Sequence, residues 1–463
     1  MSLAKKVLVL GAGSISSQVV EYLVRDAQTR ITVACRTLSS ATAVASKFPR
    51  VTALALDATS AELNDHVAAH DVVVSLIPPV YHPAIAKAAI KAKKNFICTS
   101  YTTPEMLKLG FDATQAGVTL MTEVGVAPGL DHVYTVKTIG DVHSSGGKIS
   151  SFTSFVGGLP ALECSDNPLR MKFSWNPKNT ILSQMKPASF LEDGHLIEVA
   201  GKDLMDSAKP IALSNNSRYD FMCFGTGSSV PLREHYNIPE ASTIIRGTLR
   251  YKENPIMIST LMKLGWLDAS EQGWLRAEVS LTWAKVTQHL LGADDSDEDT
   301  LVNMIKQRIR FRSDEQGEQV IHGLRWIGIF SADQVPPRTS ILVDLLSSRL
   351  EELCSWHPGE RDLLFLQICF VIDLANGKRK RKTATLELLG DPDGYSAMAR
   401  STGTVCGIAV QLMLEAHEPI LKPGILRPYA PELCALMLVR LKEENLLPVE
   451  LDTDAYPYSL SSV

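Results

Sequence analysis

VLVLGAGSISSQVV, from Val7 to Val20, decides the fold of this chain. Its first four residues are an uninterrupted apolar run, the pattern of a strand buried on both faces. Gly11 and Gly13 follow at once, and SSQVVEYLVRD then takes helical spacing. A glycine turn between a buried strand and a helix builds an anion site. Gly11 makes the tight bend, and Gly13 lets a pyrophosphate come close to the backbone. The free N–H groups and dipole of the helix start favour its negative charge. Ser16 stands where the usual fingerprint has a third glycine. The reading is a dinucleotide site.

Outward from this turn, strand-like and helical periods alternate to about residue 125. ITVACR, VTALALDA, DVVVSLIPP, NFICTSY and VTLMTEV read as strands, and LSSATAVASKF, SAELNDHVAAH, HPAIAKAAIKAKK and TPEMLKLGFDATQAG as helices. Short connections between them predict a parallel sheet covered on both faces, with right-handed crossovers. The prolines of SLIPP are expected to exclude helix and lay a turn over the dinucleotide. The fold class is therefore α/β: a Rossmann-type doubly wound parallel sheet, plus a β-rich α+β catalytic domain with a helical insertion. The expected boundaries are 1–132 for the dinucleotide domain, completed by 391–463. Residues 133–253 and 354–390 form the β-rich domain, with LLFLQICFVIDLANGKRKRKTATLELLG as a hairpin around ANGK. Residues 254–353 form the helical insertion, and the tail reads as helical.

The end of the second strand discriminates between cofactors. NAD sites usually place Asp or Glu there to hold the ribose hydroxyls. This chain has Cys35, Arg36 and Thr37. A guanidinium can pair with a 2′-phosphate and stack on adenine, so NADP(H) is expected over NAD(H). Asp57, after the third strand, is expected on the adenine side.

The chain has 463 residues, 45% hydrophobic and 21% charged, with a net charge of −5. That is ample for two or three domains and offers no basic surface for nucleic acid. The run GKRKRK (Gly377–Lys382) reads as a solvated hairpin tip. Eight cysteines show no Cys-x-x-Cys spacing, so no metal site and no redox pair are expected. No apolar run reaches membrane-spanning length. The expectation is a soluble cytoplasmic protein without nucleic-acid or membrane partners, with a homodimer left open.

SLIPPVYHP, TSYTTPEM, GVAPGLDH, GGLPALECSDNPLRMKFSW, IIRGTLRY and GYSAMARSTG together resemble the NADP-dependent, glutamate-forming saccharopine dehydrogenase family. The likeness runs over essentially the whole chain. It implies that an amino-acid amine is joined to an aldehyde and the imine is reduced by hydride from NADPH. On matching positions it implies that Ser14, Ile15, Ser16, Ser17, Cys35, Arg36, Thr37, Asp57, Ala58, Ile77, Val126, Ala127, Pro128 and Ser174 line the cofactor with Gly11 and Gly13. It places Ser100, Tyr101, Trp175, Arg246, Gly247 and Thr248 at the substrate, with Tyr101 as the catalytic candidate and Arg246 gripping a carboxylate. Asp131 and His132 also match and are expected to be structural.

Three positions depart from the family pattern. Ala127 replaces an aspartate at the substrate, Val156 a cysteine, and Gly227 an arginine that grips a carboxylate. A methyl can accept neither a proton nor a hydrogen bond, and a carboxylate without its partner costs several kcal/mol. The sequence therefore favours a diverged paralogue: an NADPH-dependent reductase of a C=N bond formed between an aldehyde or keto compound and an amine or amino acid, with a substrate altered from saccharopine. Two alternatives stay open. One is a genuine saccharopine dehydrogenase of lysine biosynthesis whose pocket is compensated from elsewhere, for example by Arg170. The other is a non-catalytic NADP(H)-binding protein, against which the intact RGTLRY and KFSW motifs argue. YTTPE lacks the Tyr-x-x-x-Lys pair of a short-chain dehydrogenase.

Overall fold

The computed structural model describes residues 4–173, 177–213, 218–277, 281–336 and 339–454. Ser174 and Trp175 lie outside the described residues. The chain divides into two compact units. The first comprises the described residues of Met1–Ser150, Glu234–Glu240 and Ile368–Ala455, and the second those of Ser151–Arg233 and Ala241–Gln367.

The first unit opens with the expected alternation. Its elements are β1 (Lys5–Leu10), α1 (Ser14–Leu23), β2 (Thr29–Cys35), α2 (Leu38–Ala45), β3 (Val51–Ala55), α3 (Leu63–Ala68), β4 (Val72–Ser75), α4 (His82–Ala92) and β5 (Asn95–Cys98). Then follow α5 (Pro104–Leu107), α6 (Gly110–Ala116), β6 (Thr119–Met121) and α7 (Leu130–Ser144). The sheet has seven strands, in the order Gly424–Leu426, β6, β5, β4, β1, β2, β3. β1 is parallel to both neighbours, with Val7 opposite Ile31 on one side and Val72 on the other. The chain thus winds outward from β1 to β3, then restarts at β4 on the opposite side. The crevice beyond the C-terminal ends of β1 and β4 is the switch point where such sheets hold ligands. Val7, Leu8 and Val9 are wholly buried, as an apolar run requires.

α1 lies against the helix Ala397–Leu414, which returns from the far end of the sequence. A Cβ on Gly403 would fall 2.5 Å from Gln18 Cβ, and one on Gly407 2.9 Å from Tyr22 Cβ. The missing side chains let the two backbones approach, and this packing sets where the N-terminus of α1 points.

Three sequence expectations need correction. Pro79–Tyr81 forms a 3-10 turn leading into α4, so the prolines of SLIPP do not exclude helix. Pro79 and Pro83 occupy first-turn positions, where a missing N–H costs nothing. The single helix expected over 104–116 is two short ones. The tail is not purely helical. Gly424–Leu426 joins the parallel sheet beside β6, and Val449–Asp454 pairs antiparallel with Arg379–Leu389. Of the basic run, Gly377, Lys378 and Arg379 are exposed at the hairpin tip as expected, and that last pairing adds partners for the remainder. Lys380 meets Asp452 at 3.0 Å and Lys382 meets Glu450, so these lysines face an acidic strand.

β7 (Lys148–Pro160) carries the chain from the first unit into the second. There the strand Thr243–Tyr251 runs parallel to β7, with Thr248 opposite Val156, and antiparallel to Phe221–Gly225. A hairpin, Ala188–Glu192 with His195–Val199, turns at Asp193–Gly194, both at positive φ (51° and 82°), the geometry that suits a two-residue β-turn. The expected helical region is present, with Glu253–Lys263, Trp283–Leu291, Glu298–Arg308, Asp314–Ile327 and Leu342–Leu353 around a core that includes Trp266, Trp283, Ile321 and Leu346.

Candidate functional site

The glycine turn and the strand ends that form the switch point belong to the first unit. Gly11 sits at φ 114°, and its N–H donates to Ala34 O at 2.9 Å. A Cβ here would lie 3.0 Å from Leu76 O, so only glycine fits between β1 and the β4 exit. Gly13 precedes α1. Nothing lies within 4 Å of the place its Cβ would take, and no side chain caps the helix. Uncapped N–H groups behind an open glycine are the cradle a pyrophosphate needs, so these residues fit a dinucleotide. Ser14 is exposed and Ile15 half-buried, while Ser16 and Ser17 are buried in α1.

Arg36 and Thr37 are exposed at the end of β2, and Cys35 is half-buried. Asp57 Oδ1 accepts from Thr59 N at 2.8 Å and Thr59 Oγ1 at 2.7 Å. These donors, with the nearby Arg36 charge, hold its carboxyl below the usual range. Ala58 and Ile77 are half-buried nearby in sequence order, after β3 and β4.

Behind the site is a histidine that sequence reasoning passed over. His82 is 1% exposed. Its Nδ1 shares a hydrogen bond with Ser75 Oγ (3.0 Å) and its Nε2 with Ser100 Oγ (3.2 Å), tying β4 to the β5 exit. Burial pushes its imidazole down to about 4, so the folded protein holds it neutral. The unfolded chain takes up that proton near the ordinary value of about 6.5. Stability is therefore whole above about pH 6.5 and falls as pH drops toward 4, by about 3 kcal/mol from this residue. Urea unfolding of wild type and His82→Asn between these pH values is expected to show a shallower loss in the variant. His70, also pushed down by burial, acts in the same direction in both proteins and cancels.

Tyr101 is 48% exposed, and its hydroxyl lies 3.5 Å from Ala127 O. Ala127 belongs to a closed turn. Gly125 N donates to Pro128 O at 2.8 Å, Leu130 N to Gly125 O at 2.9 Å, and the Ala127–Pro128 bond is cis. Val126 and Pro128 are buried and Ala127 is half-buried. Asp131 Oδ1 accepts from Gly129 N (2.7 Å) and His132 N (2.9 Å), closing the turn onto the start of α7. These bonds are in keeping with the structural role expected of it.

Under this turn lies a buried carboxylate beside an imidazole. Glu123, 4% exposed, sits just past β6 with φ 65°, a region uncommon for a residue with a side chain. Its Oε2 is 3.3 Å from His132 Nε2 and accepts from Tyr429 OH at 2.8 Å. Its Oε1 accepts from Thr102 N (3.1 Å) and Thr102 Oγ1 (2.7 Å). Burial alone would raise this carboxyl, but His132 and the Thr102 donors outweigh it and hold it well below the ordinary range. His132 Nδ1 shares a 2.5 Å hydrogen bond with Tyr236 OH. Periodicity gives no signal for this cluster, because its members come from four separate stretches of chain.

Arg246, Gly247 and Thr248 lie in the second unit, on Thr243–Tyr251. Arg246 N donates to Ser229 Oγ (2.9 Å), Thr226 N donates to Arg246 O (3.0 Å), and the Thr226 and Thr248 hydroxyls are 2.9 Å apart. A Cβ on Gly247 would fall 2.0 Å from Phe224 O, so glycine is obligatory. Gly227 has φ 59° and open space where a side chain would start. A cavity of ≈ 130 Å³ is lined by Phe155, Phe190, Phe224 and Ile245. Strand alternation puts Ile245 on the face opposite Arg246, so this apolar space is separate from the guanidinium. Arg170 does not supply loose charge. Its Nη1 donates to Ser165 O at 2.8 Å, and its Nε is 3.4 Å from Glu253.

Two family models together cover most of the chain. Residues 7–121 match the saccharopine dehydrogenase NADP binding domain and residues 125–446 the saccharopine dehydrogenase C-terminal domain. The chain belongs to the saccharopine dehydrogenase family. It is 43% identical over 442 residues to the saccharopine dehydrogenase [NADP(+), L-glutamate-forming] of Schizosaccharomyces pombe, covering 95% of this chain and 97% of that one. The Saccharomyces cerevisiae protein of the same name is 39% identical over 445 residues, covering 96% and 98%. Bos taurus mitochondrial alpha-aminoadipic semialdehyde synthase is 35% identical, over 96% of this chain but only 48% of that protein. The solved structure of apo saccharopine dehydrogenase (L-Glu forming) from Saccharomyces cerevisiae superposes with a TM-score of 0.90 at 37% identity, covering 97% of this chain and all of that one. NADP(H) is the coenzyme of this family fold, as Arg36 led us to expect. Among the described residues no helix is long and apolar enough to cross a membrane.

Proposed function

We propose that this chain is an NADP(H)-dependent saccharopine dehydrogenase of the L-glutamate-forming type. It is an NADP-dependent oxidoreductase of C–N bonds; the finer reading is that its substrate is saccharopine. One observation carries that reading: 43% identity over 95% of the chain to an enzyme so named. It reverses the order in which the sequence alone ranked the readings. An altered substrate becomes the second reading, favoured by the Ala127 methyl and by the open space at Gly227.

When bound, NADP(H) would supply or accept the hydride at the C–N carbon. The chain's own residues do the rest. The Gly11–Gly13 turn with Ser14, Ile15, Ser16 and Ser17 would hold the pyrophosphate, and Arg36 with Thr37 the 2′-phosphate. Asp57, Ala58, Ile77, Val126, Ala127 and Pro128 complete the coenzyme's surroundings. Arg246, with Gly247 and Thr248, would orient a substrate carboxylate by a planar, permanently charged fork. The Tyr101 hydroxyl, with Ser100 beside it, would hold the proton exchanged as water enters or leaves the C–N centre. Eight free cysteines support a reducing compartment, which we read as the cytoplasm.

The test is a coupled assay. Saccharopine with NADP+ is expected to yield NADPH, glutamate and the aminoadipate aldehyde, identified by mass. If saccharopine is inert while other amine and aldehyde pairs consume NADPH, the second reading replaces the first. If NADPH binds and no pair reacts, the chain is a binding protein.

A further inference from the structure

We infer that Glu123 is the positioning residue that presents Tyr101 to the site. The inference rests on the reading of Tyr101 given above. Glu123 holds the loop on both sides of that tyrosine. Its backbone N–H donates to Ser100 O at 3.1 Å, and its Oε1 takes both the N–H and the hydroxyl of Thr102. Tyr101 is thus the single residue between two points gripped by one glutamate. The left-handed φ of 65° turns the Glu123 backbone so that its N–H and its carboxylate both face the loop. Strain at a non-glycine residue persists only where the surroundings over-determine it.

The other carboxylate oxygen is anchored in the core. Tyr429 OH donates to Oε2, and the His132 ring, wholly buried, lies 3.3 Å away. The Tyr429 ring meets His132 edge-on at 4.8 Å and stacks on His235 at 4.9 Å, which prevents this anchor from swinging. Thr102 Oγ1 also meets Thr122 Oγ1 at 2.7 Å. Charge-assisted bonds in a dry environment are stiff, so the exposed Tyr101 ring stands on a rigid base. Its hydroxyl lies 3.5 Å from Ala127 O, above a loop whose flanking residues Ser100 and Thr102 are both hydrogen-bonded to Glu123. A fixed approach geometry is what a proton-holding group needs.

The experiment combines a double-mutant cycle with hydrogen exchange. Glu123→Gln keeps the shape and removes the charge. It is expected to lower kcat about 10- to 100-fold while the NADPH Kd stays within about threefold, the scale of a misplaced acid–base group. In a Tyr101→Phe background the same change is expected to alter kcat by less than about threefold, since it acts through the lost hydroxyl. Amide exchange at Thr102 is expected to accelerate at least about tenfold as its charge-assisted bond becomes a weaker neutral one. An unchanged kcat, an equal loss in both backgrounds, or unchanged Thr102 exchange overturns the inference. If the wild type turns over no substrate, or Tyr101→Phe keeps the full rate, the functional reading of Tyr101 fails, and Thr102 exchange alone decides whether Glu123 grips the loop. Should Glu123→Gln not fold, Thr102→Val removes the hydroxyl and keeps the N–H. A kcat loss at unchanged Tm is then expected, and an unaltered kcat overturns the inference.

Discussion

Gly11→Val is expected to abolish measurable NADPH binding, raising Kd more than about 100-fold, a loss of about 3 kcal/mol. Two independent penalties produce this. The residue holds φ 114°, which a β-branched side chain does not adopt. Its Cβ would also lie 3.0 Å from Leu76 O and 3.4 Å from Ile77 Cγ2. Those two atoms belong to the exit of β4, so relief comes by pushing β4 away from β1. That movement deforms the crevice where the coenzyme lies. Gly13→Ala separates the two roles of the turn. Gly13 has φ −85° and no neighbour within 4 Å, so alanine fits the folded chain without strain. Its methyl would occupy the space the pyrophosphate needs. Isothermal titration with NADPH should show weaker binding for both variants, and thermal unfolding a lower Tm only for Gly11→Val. Full NADPH affinity in Gly13→Ala would remove the pyrophosphate from this turn.

How far the sequence could be read follows from how local each signal is. The β1 run, the glycine turn and the alternation to Met121 are all encoded within a few residues, and the parallel sheet is their consequence. Arg36 was legible because its place at the end of β2 carries meaning by itself. The strand Gly424–Leu426 was not, since three residues have no period, and it is a strand only because β6 offers an open edge. Val449–Asp454 reads as a polar tail until Lys380 and Lys382 are set against Asp452 and Glu450. The Glu123 cluster was invisible for a further reason. Its partners Thr102, His132, Tyr236 and Tyr429 span more than 300 residues, and nothing in the spacing of one reveals the others. The substrate was the least legible part. Ala127, Val156 and Gly227 argued for a changed pocket from three positions, whereas likeness over 95% of the chain weighs every position at once.

Gly227, with Arg246, leads to the second large effect. Arg246→Ala is expected to raise KM for a carboxylate-bearing substrate about 100- to 1000-fold, the cost of leaving a desolvated carboxylate unpaired. The NADPH Kd should not change, because Arg246 is not among the residues proposed to hold the coenzyme. Arg246→Lys is expected to recover only part of the loss, since an ammonium is a point charge and cannot grip both oxygens in a plane. Gly227 supplies the complementary experiment. Its φ of 59° costs an introduced side chain about 1 kcal/mol, but the space beyond the Cβ is open. Gly227→Arg therefore sets a second guanidinium beside the Thr226–Thr248 hydroxyl pair at modest expense. If the native substrate is saccharopine, the site already meets its carboxylates and the added charge lowers KM for saccharopine by no more than about threefold. If the native substrate carries fewer carboxylates, Gly227→Arg lowers KM for saccharopine about tenfold or more, roughly one added charge-assisted bond, and raises it for the native compound. Steady-state kinetics on the three variants thus reads the carboxylate count of the substrate from the protein side, independently of any guess at its name. An Arg246→Ala enzyme with unaltered KM would mean that the guanidinium does not touch the substrate at all, and the assignment of Thr243–Tyr251 as the substrate strand would fall with it.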